Sequence, residues 1–290
     1  MILFDSLLTS IQHVAPQRRL SSMVWSITRI EHKALKNALI RIFRLFYFVD
    51  MSEAARGDVA DYKSFNDFFT RELLPESRPI PTNERAVLSP ADGTISQIGQ
   101  IQNGRLIQAK GRDYSVQALL ADDIRLSQKF DNGHFATIYL APHNYHRVHS
   151  PISGSIEKVR YVPGKLFSVN NRTARCVDNL FARNERTIVE LSTAIGSVTV
   201  VLVGAMLVAS MDIIGCELAT EIRRNSRNDG PFDVPIKTGF SEIREGDELG
   251  RFNMGSTVIV LFEPGRVSWD PALEHAIEVR IRQSIGSRLE

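Results

Sequence analysis

From residue 81 onward the chain breaks into short runs of β-branched and aromatic residues separated by turn formers: "GTISQIGQI", "HFATIYLA", "GSIEKVRYV", "RTIVELS", "SVTVVLV" and "STVIVLF". Residues of this kind pack well on a pleated, buried surface, so each run predicts a strand, and an all-helical fold is excluded. Before residue 80 the period is helical. It ends in "SFNDFFTREL" and in "PESRPIPTNER", whose three prolines suit a boundary. The expected fold is α+β, with N-terminal amphipathic helices over residues 1–80 followed by a mainly antiparallel β sandwich or barrel over residues 81–290. "NSRNDGPFDVPIKTGFSE", residues 225–242, reads as a long irregular loop.

At 290 residues, 43% hydrophobic and 23% charged, the chain has an ordinary globular composition. Its two cysteines, Cys176 and Cys216, lie far apart and form no Cys-x-x-Cys pair, which argues against a disulfide scaffold or a zinc knuckle and suits a reducing compartment. No stretch reaches the roughly 18 uncharged apolar residues of a spanning helix. The start "MILFDSLL" lacks the basic region and cleavage site of a secretory signal, so no export is expected.

The net charge of +2 conceals an asymmetry: the first fifty residues hold seven Lys/Arg against Asp5, Glu31 and Asp50. Within them, "KALKNALIRIFRLFYFV" sets its cations among Leu35, Leu39, Ile42, Phe43 and Phe46 as an amphipathic helix does. Such a helix either lies on an anionic membrane or packs on its own domain, and the segment alone leaves both open.

Three stretches could carry chemistry. "SPADGTIS" places Asp92-Gly93 where a hairpin turn is the default reading. "APHNYHRVHSP" crowds His143, His146 and His149 into seven residues, which suits acid/base work, a metal site or a surface cluster. Its flanking prolines disfavour a long helix, and no carboxylate-rich or Cys-rich motif completes a metal site, so no metal is expected. "FNMGSTVIVLF" puts Gly255-Ser256 directly before a strand-like run, either as a tight turn or as a reactive bond.

"LSPADGTIS", "YHRVHSPISG", "YVPGKLFSVN", "LFARNER" and "GRFNMGSTVIVLF", in that order, resemble the bacterial pyruvoyl-dependent phosphatidylserine decarboxylase family. The resemblance runs from about residue 60 to 265. It implies self-cleavage between Gly255 and Ser256, leaving two chains from one precursor and a covalent pyruvoyl cofactor derived from Ser256. A serine hydroxyl beside a peptide carbonyl can attack it when a base takes its proton. The resemblance assigns that base to His149, oriented by Asp92 as in a serine-protease triad. It further implies that the pyruvoyl group forms a Schiff base with phosphatidylserine, acting as an electron sink for loss of the carboxylate and yielding phosphatidylethanolamine. His146 then protonates the product carbanion, with Tyr139 and Ser168 near the substrate. A homodimer, held peripherally on the cytoplasmic side of the cell membrane and needing no nucleic acid, is likewise implied.

The chain departs from the family in two places. Met254 replaces the usual Leu, a mild apolar exchange, and Asn144 stands where the family has Asp, which puts in doubt any carboxylate support of His146. Two alternatives stay open: a pyruvoyl decarboxylase of a soluble amino acid, and a β-rich binding module that is never cut.

Overall fold

All six strand-like runs enter one antiparallel sheet of the computed structural model, which describes residue 12 and residues 16–109, 111–206, 210–225 and 229–289. "MILFDSLL" lies outside the described residues. Across the sheet the strands run Phe232–Asp233, Gly154–Val162, Arg186–Thr193, Gly196–Val203, Ser256–Phe262, His134–Leu140, Gly93–Gln100 and Glu278–Val279, with Glu242–Ile243 also pairing with Gly154–Val162. The path ends on two-residue strands and does not close, so of the expected sandwich or barrel no closed barrel is present among the described residues. The α+β class holds.

Both faces of this sheet are covered, which explains why "TVIVLF" is continuously apolar instead of alternating. Val258, Val260 and Phe262 enter one core, shared with two three-stranded sheets: Ala86–Leu88, Ser284–Arg288 and Val267–Trp269 form the first, and Met211–Ile213, Glu248–Phe252 and Arg147–His149 the second. Ile259 and Leu261 point the other way, toward Leu106, Tyr114, Leu119, Leu180 and Phe181. Residues 258–262 are 0% exposed. Burial of five such side chains stabilises the centre of the sheet by on the order of 10 kcal/mol, an upper bound because the unfolded chain is itself partly compact. Val260→Asp would break it by burying an unpaired charge.

Within the expected loop 225–242, residues 232–233, 236 and 242 pair with other segments, which the sequence does not suggest. Phe232 and Asp233 extend the sheet against Tyr161 and Arg160, and Ile236 bridges to Cys216. Isolated turn residues around a two-residue strand give no periodic signal, so the pairing is decided by the free edge it meets.

The N-terminal region contributes helices Gln17–Thr28, Lys33–Phe46 and Phe65–Phe69. Ser64 caps the last of these by accepting from Asp67 N at 3.2 Å. Its aromatic residues build a separate core of Ile40, Val49, Tyr62, Phe65, Phe68 and Phe69, with Phe43 making edge contacts to Phe65 at 5.3 Å and to Phe69 at 6.0 Å. Met254 packs against this cluster and against the second face of the sheet, joining the two regions at the residue before Gly255.

The Lys33–Phe46 helix packs on its own domain along one side and leaves the other side exposed. Ile40 and Leu39 pack inward, while Leu45 is 83%, Phe46 79% and the following Phe48 86% exposed. Lys36 differs from the neighbouring cations: it is buried, and its ammonium donates to the carbonyls of Val59 and Ala60 at 3.1 Å each.

Candidate active site

The sheet register brings Ser256, Tyr139 and the strand that follows Asp92 to adjoining positions. Ser256 faces Leu140 across one ladder, Thr257 faces Tyr139, and Tyr139 in turn faces Thr94, two residues past Asp92. Asp92-Gly93 is therefore not a hairpin turn but the start of a strand. A Cβ at Gly93 would lie 2.4 Å from the Tyr139 carbonyl oxygen, so glycine here permits the close approach of two strands.

The histidine segment is held between the other two motifs. The His149 N–H donates to the Pro90 carbonyl at 2.8 Å, and the Phe252 N–H donates to the His146 carbonyl at 2.9 Å. One backbone bond thus reaches the Asp92 motif, and the other reaches the segment leading to Ser256.

Ser256 is fully buried, and among the described residues its Oγ has no hydrogen-bond partner. It lines a cavity of about 290 Å³ with Gly255, Met254, Tyr139, Ser168 and Phe69. Tyr139 and Ser168 thus share a chamber with the Gly255-Ser256 bond. Space at Gly255 is less restricted than its identity suggests, since a Cβ there would meet only the Leu140 carbonyl, at 3.8 Å.

Both histidines present the same nitrogen. A carbonyl only accepts, so the 2.9 Å contact of His146 Nδ1 with Asn144 O and the 2.8 Å contact of His149 Nδ1 with Gly246 O place the proton on Nδ1 in each. In the neutral ring Nε2 then carries a lone pair. For His149 it receives the Tyr145 hydroxyl at 3.3 Å; for His146 it is buried without a partner among the described residues. Burial, aided by the nearby Arg71 cation, pushes the His146 pKa down to about 3. Burial also lowers that of His149, against the raising effect of the Gly246 contact. Each is a neutral base at ordinary pH.

Gly246 has φ +78, in the left-handed region that glycine favours, and this turn directs its carbonyl to both His149 and Arg282 Nε. The expected orienting bond from Asp92 to His149 is replaced by this carbonyl. Asp92 instead accepts from Arg78, with Nη2 2.6 Å from Oδ2 and Nε 3.2 Å from Oδ1, and from the Ile281 N–H at 2.7 Å. Arg78 also reaches Glu53 at 2.9 Å. Burial opposes its charge, but the bonds to the two carboxylates outweigh this and hold its pKa above the ordinary value.

Asn144 has a local explanation. Its Oδ1 accepts from the Ala141 N–H at 2.7 Å, closing a turn as an Asp would, while its backbone carbonyl orients His146. The exchange removes a charge and leaves that alignment intact. The three clustered histidines diverge, with His143 exposed and the other two buried on separate carbonyls.

Several contributors escaped the sequence reading. Arg78 comes from the proline-rich segment that reads as a boundary, and its charge between Pro75 and Pro79, in "PESRP", is the one available signal. Phe69, whose ring lies 4.1 Å from that of His146, and Tyr145 sit inside apolar or motif runs and carry no distinguishing pattern.

A family model described as phosphatidylserine decarboxylase matches residues 65–287, and a second, described as PSD, matches residues 7–47. The phosphatidylserine decarboxylase proenzyme of Bordetella avium is 47% identical over 93% of this chain and 90% of its own. That of Pseudomonas fluorescens is 46% identical over 95% of both chains, and that of Alcanivorax borkumensis 42% over 99% and 98%. With a matched model over most of its length and relatives that align nearly end to end, the chain belongs to the phosphatidylserine decarboxylase family.

Proposed function

We propose that this chain decarboxylates phosphatidylserine to phosphatidylethanolamine, using a pyruvoyl group made from Ser256 by autocleavage at Gly255-Ser256. The observation that carries the reading is the buried, unpartnered Ser256 Oγ on the wall of a chamber shared with Tyr139 and Ser168. A hydroxyl left without a partner in an apolar site costs about 1–3 kcal/mol, and among the buried unpartnered hydroxyls of the described residues Ser256 is the one on the chamber wall.

His149 takes the Ser256 hydroxyl proton at Nε2 while Oγ attacks the Gly255 carbonyl carbon. The C–N bond breaks, the Ser256 nitrogen gains a proton, and an ester remains. Removal of the Ser256 Cα proton expels the Gly255 carboxylate, leaving dehydroalanine, and water then releases ammonia. The Gly246 carbonyl holds the reactive tautomer of His149. Asp92, tied to Arg78, fixes the Pro90 segment on which the His149 backbone rests. The pyruvoyl carbonyl supplies an electron sink for loss of the substrate carboxylate. His146, in ring contact with Phe69, handles the product proton at Nε2; being neutral here, it must first collect that proton from solvent, and Asn144 O keeps it aligned meanwhile.

The substrate comes from a bilayer, and we propose that the chain rests peripherally on an anionic, cytoplasmic-facing membrane as a homodimer. Leu45, Phe46 and Phe48 are exposed beside Arg41 and Arg44, and Tyr47, next in the chain, lines the Ser256 chamber with Phe43. No helix among the described residues is long and apolar enough to cross a membrane.

Intact-mass measurement tests the core of this proposal. It should find two chains, one ending at Gly255 and one beginning with a pyruvoyl-blocked residue 256, and Ser256→Ala should yield a single inactive chain. Full activity from uncut protein would sink the reading.

A further inference from the structure

A second cavity, of about 510 Å³, is lined in part by Arg71, Asp92, His143, Asn144 and Tyr145. Arg71 is 5% exposed, and its Nε is buried without a partner among the described residues. Its Nη2 makes one long contact, 3.4 Å to the His143 carbonyl, and the guanidinium carbon stands 5.7 Å from the Phe68 ring centroid. The carboxylates nearest to hand are already taken: Asp92 by Arg78, Glu53 by Arg78 and Arg280, and Asp50 by Ser52. Glu278, which also faces this cavity, is exposed.

A buried guanidinium is costly unless an oxyanion meets its fork of donors, and burial accordingly lowers the Arg71 pKa. The residue is also close to the chemistry. Phe69, two positions earlier, touches His146 and lines the Ser256 chamber.

We propose that Arg71 anchors the substrate by binding the phosphodiester of its headgroup. This rests on the function proposed above. The headgroup carries two oxyanions, and the chemistry chooses between them. A cation on the carboxylate would stabilise the ground state and oppose loss of its charge, whereas the phosphodiester keeps its charge throughout, so binding it favours substrate and transition state alike. Arg71 therefore acts on KM.

The test compares wild type, Arg71→Gln and Arg71→Lys as full chains acting on detergent-dispersed phosphatidylserine. Intact mass should show the variants cut as wild type is. Arg71→Gln should raise KM by about 10–100-fold with a much smaller change in kcat, and Arg71→Lys should recover part of the loss. Glycerophosphoethanolamine, which has the phosphodiester and no carboxylate, should inhibit wild type competitively and lose a similar factor against Arg71→Gln. A cut Arg71→Gln enzyme with wild-type KM overturns the proposal. So does glycerophosphoethanolamine inhibiting both equally, including the case in which glycerophosphoserine alone tells them apart and the carboxylate is the anion held. Should Arg71→Gln remain uncut, calorimetry of glycerophosphoethanolamine on Ser256→Ala and on the Ser256→Ala, Arg71→Gln double variant decides: lost binding supports the anchor, and equal binding refutes it. An uncut wild type would sink the pyruvoyl reading, while the same calorimetry would still decide on Arg71.

Discussion

The two cavities beside the histidine segment differ in kind. The one holding Ser256 is small, about 290 Å³, and walled by Phe43, Tyr47, Phe69, Tyr139 and Met254; the one holding Asp92 is about 510 Å³ and carries Arg71, Arg78 and Arg280 among several carboxylates. Between them stands His146, its ring on Phe69 of the first chamber and its Nδ1 on Asn144 of the second. The contrast separates two requirements of one reaction. On the function proposed above, bond making and breaking would gain from an apolar-walled chamber beside a neutral imidazole, and recognition of a charged headgroup from the guanidinium of Arg71, whose Nε has no partner among the described residues.

The largest expected effect tests whether the two histidines serve different steps. His149→Ala should accumulate uncut precursor. His146→Ala should still be cut, at least in part, yet decarboxylate about 10²–10⁴-fold more slowly, as loss of a positioned proton carrier does. Mass spectrometry and single-turnover assays on the same samples check both, and a fully active, normally cut His146→Ala protein would remove that residue from the mechanism.

Next comes the partition itself. Phe69→Ala removes a fully buried ring that belongs to the aromatic core, the wall of the Ser256 chamber and the His146 ring contact at once. It should cost about 3–5 kcal/mol in denaturant unfolding. A loss below about 1 kcal/mol would mean that the aromatic cluster does not support the site.

A smaller effect follows from the buried histidines. Both pKa values are depressed on folding, so below the unfolded value of about 6.5 the unfolded chain binds protons that the folded chain refuses. Stability is therefore complete above that pH and falls as pH drops toward the folded values, by up to about 1.4 kcal/mol per pH unit for each group. Urea titrations between pH 7 and 5 should show the decline, and His146→Gln should flatten it.

The smallest expected effect concerns the outer surface. Replacing Lys33, Arg41 and Arg44 with Gln should weaken binding to anionic vesicles by about 1 kcal/mol per cation, with the remaining binding less sensitive to salt. Lys36→Gln is the internal contrast, because that ammonium is buried on the Val59 and Ala60 carbonyls: it should lower stability and leave vesicle binding unchanged. Equal loss of vesicle binding from Lys36→Gln would show that the whole helix, rather than its exposed side, meets the lipid.

What the sequence determined by itself was local. Six runs of β-branched residues became six strands of one sheet because strand formation follows side-chain shape and spacing within a few residues. The five family motifs located the Asp92, His146–His149 and Ser256 segments, and their order carries that information without any coordinates. Tertiary structure alone decided the partners. Lys36 turned inward, Gly93 proved to be a strand contact, His149 found the Gly246 carbonyl in place of Asp92, and Arg78 reached from an apparent boundary segment to Asp92. Each of these outcomes depends on atoms 14 to 97 residues apart in the chain, where burial and hydrogen-bond geometry are set by the packing of whole elements and leave no periodic trace.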